Sequence, residues 1–309
     1  MASAASRGHA ALGGTGHRPA VLIRTTADTL LRTLALAAAA ALLGLGLPWR
    51  LATAQPAPCT PEQGRIQAGS VCLVAKVFAS PEQPGRALAM IVHGDGGAFL
   101  SEGYLANMSR LAQRIARARP GDGVVFVQRP GYRSALGHSE GRAKTIDDDY
   151  TAENVGHMAA AARALRAHWG ASRVVWVGHS GGAALGALAL GREPGVAEAA
   201  VLSGCPCGSI GQWRAHRNAS RGRHGDSLWP SSLSPLEHMD ALQTGMRVVL
   251  LTGDRDENTL PRFNEPWVDR ARARGVDAQL IILPGLDHGQ VAGSAEVISH
   301  TARLMADAP

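Results

Sequence analysis

Apolar residues follow two rhythms along this chain. Short, nearly unbroken runs occur at Val71–Phe78, Ala87–Val92, Val124–Val127, Arg173–Val177, Ala199–Leu202, Arg247–Leu251 and Gln279–Leu283. Their length and β-branched content predict strands buried on both faces. Longer stretches with apolar residues every three or four positions run from about Ser101 to Ala118 and Thr151 to His168, and follow Leu260 and Ser294. That spacing predicts amphipathic helices. Strands separated by helices of this length pair in parallel through right-handed crossovers, so the pattern predicts an α/β fold with a doubly wound, mostly parallel sheet. The stretch 205–245 breaks the alternation, with Gly, Pro, Ser, Trp and several basic residues. It is too long for a simple connection and is expected to form a short lid over the carboxyl ends of the strands, where ligands bind in such sheets.

The N-terminal segment has a different character. Arg18, Arg24 and Arg32 precede an uncharged Leu/Ala run from Leu34 to Leu47, and Ala52-Thr53-Ala54 offers a small-x-small cleavage site. The run is shorter than the roughly twenty residues of a membrane span, so residues 1–54 are read as a signal peptide. The alternative is an uncleaved membrane anchor. Export to the periplasm or the exterior is expected, with residues 55–309 as one α/β domain and no stable membrane insertion after leader removal.

Removing the leader changes the charge argument. The full chain carries 31 Lys and Arg against 25 Asp and Glu, a net charge of +6. Five Arg and one Asp lie in residues 1–54, leaving 26 basic and 24 acidic residues, or +2. A nucleic-acid partner therefore loses its support. The four cysteines, Cys59, Cys72, Cys205 and Cys207, suit disulfides in an exported protein, and three pairings are open. No histidine or cysteine spacing resembles a metal site, and no metal or other cofactor is expected.

Chemistry concentrates where the strand Arg173–Val177 runs into Gly178-His179-Ser180-Gly181-Gly182. With 37 glycines in the chain the Gly-x-Ser-x-Gly pattern alone is weak, but its place between a buried strand and a small-residue helix is specific. Such a turn exposes the serine hydroxyl at a helix N-terminus, which favours developing negative charge. A serine nucleophile needs a base, and the base needs an orienting acid. In this arrangement both should follow the serine, acid first, each just after a strand. Arg247–Leu251 runs into Gly253-Asp254-Arg255-Asp256, and Gln279–Leu283 into Pro284-Gly285-Leu286-Asp287-His288-Gly289. Ser180, Asp256 and His288 are the expected catalytic residues. Asp254 is the alternative acid, and Asp287 is read as a turn residue.

In these motifs the chain resembles an α/β-hydrolase over all of residues 55–309. The resemblance implies an oxyanion hole formed by the N–H of Gly181 and one from Asp95 or Gly96, in the strand-end loop His93-Gly94-Asp95-Gly96-Gly97. The Asp95 carboxylate must then point away from the oxyanion, and His93 braces the loop. Arg129-Pro130-Gly131-Tyr132 resembles another loop of this superfamily and is read as scaffold, with Tyr132 a pocket wall. Ser234-Pro235 to His238, Gly275 and Pro284-Gly285-x-x-His288-Gly289 are similar to prolyl oligopeptidase-like catalytic domains. Dienelactone hydrolases share the fold but carry cysteine where this chain has Ser180.

The leading expectation is an exported serine hydrolase of a small carboxylic ester. A serine peptidase or amidase acting on a short peptide is the alternative, and a non-catalytic binding protein of the same fold is a third reading. Trp213, Trp229 and Trp267 are read as packing or pocket residues. The basic cluster Arg214, Arg217, Arg221, Arg223 and His224 is read either as a solvated loop or as a selector of anionic substrates.

Overall fold

A computed structural model describes residues 59–143, 149–220 and 231–306. The predicted leader lies outside these residues, as do Arg221, Arg223, His224 and Trp229. The described strands are β1 (Arg65–Ala68), β2 (Val71–Ala79), β3 (Ala87–Val92), β4 (Gly123–Val127), β5 (Arg133–Ser134), β6 (Gly137–His138), β7 (Arg173–His179), β8 (Ala199–Ser203), β9 (Arg247–Gly253) and β10 (Asp277–Leu283). Eight of them form one sheet in the order β1-β2-β4-β3-β7-β8-β9-β10. β2 pairs antiparallel with β1 and β4, and the strands from β4 through β10 pair in parallel. This is the predicted α/β-hydrolase architecture.

Alternation along the strands assigns the two faces of the sheet. On β7, Val174 and Trp176 point to one face and Val175 and Val177 to the other. Helices α1 (Glu102–Ala118) and α7 (Ala295–Ala306) cover the second face through Leu105, Met108, Val297 and Leu304. Helices α2 (Ala152–Trp169), α3 (Gly181–Arg192) and α5 (Glu265–Ala273) cover the first through Val155, Met158, Leu185 and Val268. Each such aliphatic side chain taken from water contributes about 1.5–3 kcal/mol. Ser101 and Thr151, placed inside helices by the periodicity, are instead N-caps whose hydroxyls accept from Tyr104 N and Asn154 N. Both leave the helix for the cap because the hydroxyl satisfies a free N–H there.

Three strands had no counterpart in the hydrophobic pattern. β1 is four residues long and only Ile66 and Ala68 are buried, which is too little to stand out. β5 and β6 are two residues each. Cys59 bridges to Cys72, and Cys205 to Cys207.

The stretch 205–245, expected to form a lid, is in part interior structure. Cys205, Cys207, Ile210, Trp213, Met239 and Leu242 are buried in the main core, so both ends of the stretch are interior structure. Gly, Pro and Ser mark irregular backbone but do not say whether it is covered. Helix α4 (Ile210–Ser220) anchors its Trp213 indole N–H on Asn258 O at 2.8 Å, and His216 Nε2 donates to Glu257 O at 2.7 Å. Helix α4 thus braces the loop after β9. Among the described residues, no helix is long and apolar enough to cross a membrane.

Candidate active site

The turn between β7 and α3 holds Ser180 at φ 53°, the sole non-glycine residue with positive φ among those described. Such a conformation costs about 1–3 kcal/mol and persists only where the surroundings enforce it. Here they do. A Cβ on Gly178 would lie 2.5 Å from Gly182 O, and one on Gly182 would collide with the carbonyls of Val92 and His93. The helix therefore starts hard against the end of β3, and Ser180 N–H donates to Ser203 O at 2.8 Å.

The loops after β9 and β10 converge on this serine. Ser180 Oγ lies 2.9 Å from His288 Nε2, and His288 Nδ1 lies 2.8 Å from Asp256 Oδ2. Asp256 accepts only, so the consistent tautomer carries the proton on Nδ1 and leaves Nε2 to accept from the serine hydroxyl. The Asp256 carboxylate also accepts from Asn258 N at 2.9 Å, Thr259 N at 2.8 Å and Thr259 Oγ1 at 2.5 Å. Burial raises its pKa, but the hydrogen bond and charge of His288, with the Thr259 donors, outweigh this and hold it below the ordinary value of 3.8. It stays an anion at neutral pH. Asp254 does what a turn residue does: its Oδ1 accepts from Gly285 N at 2.6 Å. Asp287 caps the short helix α6 (His288–Val291) in a reciprocal box with Gln290.

His179, inside the elbow, is buried with its ring 4.9 Å from that of His288. Burial, then repulsion by His288, pushes its pKa down to about 3, so it is neutral packing beside His288.

The loop after β3 closes the other side. A Cβ on Gly94 would sit 2.7 Å from Ser180 Cβ, which puts this backbone directly against Ser180. Gly94 N–H is taken by Tyr104 OH at 2.8 Å. The N–H groups of Asp95, Gly96 and Gly181 donate to no acceptor among the described residues. His93 is buried and braces the loop as expected. Its Nδ1 donates to Gly94 O at 2.7 Å and its Nε2 accepts from Arg129 N at 3.0 Å. Burial and the Arg129 charge hold its pKa well below 6.5, which fits the neutral tautomer these bonds require. The Asp95 carboxylate turns to Arg129 Nη1 at 2.7 Å and Tyr150 OH at 2.5 Å. Tyr132 is no pocket wall. It is fully buried, with its hydroxyl on Asp149 Oδ2 at 2.8 Å.

The model of the prolyl oligopeptidase family (Peptidase_S9) matches residues 122–306, well over half of the chain. The chain belongs to the prolyl oligopeptidase family. The matched part includes Ser180, Asp256 and His288 but begins after the His93–Gly97 loop. No curated protein matches the sequence. Among solved structures, the chain is similar to an esterase of Pyrococcus furiosus at 14% identity and TM-score 0.60, covering 81% of this chain and 94% of that one. A hyperthermophilic esterase of Pyrobaculum calidifontis matches at 18% identity and TM-score 0.56, covering 78% and 83%. A puromycin-hydrolyzing peptidase of Mycobacterium tuberculosis matches at 18% and 0.55, covering 78% of this chain but 38% of that one. These likenesses establish a shared α/β-hydrolase fold. Family and fold together make this chain a serine hydrolase.

Residues missed from the sequence sit around the predicted ones. Thr259 and Asn258 follow Asp256 at the spacing of an Asx-type turn, a local cue that was available. Asn258 Nδ2 also lies 3.2 Å from His288 Nε2. Tyr104 and Tyr150 have no such cue, because their partners are distant in sequence.

Proposed function

We propose that this member of the prolyl oligopeptidase family is an exported hydrolase of small carboxylic esters that works through an acyl-enzyme. The observation that carries the reading is the unbroken relay from Asp256 through His288 to Ser180, with bonds of 2.8 and 2.9 Å. Ser180 Oγ attacks the ester carbonyl as His288 Nε2 takes its proton. Asp256 holds the imidazole and stabilises its charged form. The tetrahedral oxyanion is received by the Gly181 N–H and by that of Asp95 or Gly96. Collapse expels the alcohol, protonated by His288. Water, deprotonated by the same base, then releases the acid. No metal or organic cofactor takes part.

Export is supported by the leader pattern and by the Cys59–Cys72 bridge, since disulfides persist in oxidising compartments. A second reading, hydrolysis of a peptide or amide, is favoured by the family match itself. The test is kcat/KM of the protein on p-nitrophenyl esters and on aminoacyl p-nitroanilides, with Ser180→Ala as control. Faster ester turnover that vanishes in the variant supports the ester reading. Faster anilide turnover makes the protein a peptidase, and turnover that survives Ser180→Ala overturns the mechanism.

A further inference from the structure

A buried ion cluster backs the loop that holds Asp95 and Gly96. Arg129 is almost fully buried between Asp95, whose Oδ1 lies 2.7 Å from Nη1, and Asp149, whose Oδ2 lies 3.5 Å from Nη2. Tyr132 and Tyr150 flank it, their ring centroids 4.8 and 5.7 Å from the guanidinium carbon. The cluster reaches the reaction centre. A Cβ built on Gly181 would lie 2.6 Å from Arg129 Nη1 and would collide with Asp95 Oδ1. An acid and its counter-charge therefore press against the backbone of the residue whose N–H faces the developing oxyanion. Arg129 also grips the loop a second time, through its backbone N–H and the His93 ring that carries Gly94 O.

We propose that Arg129 is a positioning residue for oxyanion stabilisation, cancelling the Asp95 carboxylate beside Gly181 while clamping the His93–Gly97 loop. This rests on the reading of Ser180 as nucleophile and Gly181 as oxyanion donor. The carboxylate tethers the loop to Arg129 and Tyr150, which an apolar residue there would not do. Left unpaired so close to the site, it would repel the negative charge that forms in the transition state. The damage from losing Arg129 should therefore be relieved by removing the Asp95 charge, a sign that simple bracing does not predict.

The test is kcat, KM and the inhibition constant of a trifluoromethyl ketone, whose serine adduct carries an oxyanion. It uses the full-length protein with the wild-type sequence, Arg129→Met, Arg129→Lys, Asp95→Asn and the Arg129→Met/Asp95→Asn pair. Arg129→Met should lower kcat roughly thirtyfold or more, with KM within about threefold and ketone affinity falling in step with kcat. The double variant should regain about tenfold in kcat, and Asp95→Asn alone should lose about fivefold or less. If circular dichroism shows Arg129→Met to be unfolded, Arg129→Lys and Asp95→Asn carry the test: both should keep ketone affinity relative to KM within about threefold of wild type. A double variant no faster than Arg129→Met overturns the proposal, as does ketone affinity that stays unchanged while kcat falls. A wild-type protein inert to esters, anilides and the ketone would instead overturn the hydrolase reading beneath it.

Discussion

Asp256 and Asp95 are both carboxylates beside the Ser180 turn, yet the chain holds them in different ways. Asp256 takes three of its hydrogen bonds from Asn258 and Thr259, two and three residues further on, and only His288 comes from afar. Asp95 takes its partners from Arg129 and Tyr150, 34 and 55 positions away. The acid side is thus a local turn attached to a strand end. The Asp95 side is a tertiary assembly that needs β3, β4 and the start of α2 to meet. Local construction leaves a trace in the sequence, and tertiary construction does not.

The largest effect should come from Asp256→Asn, which keeps the shape but loses the anion that fixes the His288 tautomer. A drop on the order of 10⁴-fold in kcat is expected, read from steady-state ester turnover. Because folding lowers the Asp256 pKa, its stabilising contribution is present above the ordinary value of 3.8 and lost as pH falls through the lowered one. The stability gap between wild type and Asp256→Asn in urea should close over that acid range.

Next comes Gly94→Ala on the Asp95 side. Its Cβ meets Ser180 Cβ at 2.7 Å, so loop or nucleophile must move. A loss of roughly 10²-fold in kcat is expected with the fold retained by circular dichroism. Unchanged activity would mean that the loop is not packed as described.

This contrast matches what could be read from the chain. Order, strand-end position and Gly-x-Ser-x-Gly placed Ser180, Asp256 and His288, because each follows directly from a buried apolar run. The local cue of Asn258 and Thr259 was present and unread. Arg129 was read as scaffold because nothing near it in sequence names Asp95 or Tyr150. The composition of 205–245 reports irregular backbone but not that Trp213 and the two cysteines lie in the core.

A smaller pair of effects sharpens the comparison. Thr259→Val and Tyr150→Phe each delete one hydroxyl donor from a carboxylate. Each should cost about 1–2 kcal/mol of stability in denaturant unfolding. Thr259→Val should lower kcat about tenfold, because it acts on the carboxylate that holds His288, and Tyr150→Phe by less. The reverse ranking would undo the distinction between the two sides.

The last effect needs no substitution. His93 and His179 are buried with pKa values held below 6.5, so the unfolded chain takes up protons first as pH falls. Stability should be full above about pH 6.5 and decline below it, by at most ~1.4 kcal/mol per pH unit for each histidine. Urea midpoints between pH 7.5 and 5 measure this. A flat profile would mean that neither ring is buried in neutral form.

The account stands or falls on whether Ser180 is activated. The direct measurement is fluorophosphonate labelling of the folded protein and of Ser180→Ala, read by intact mass. One adduct on the wild type and none on the variant is the predicted result. A folded wild type that takes no label, or a variant that still takes one, would contradict it.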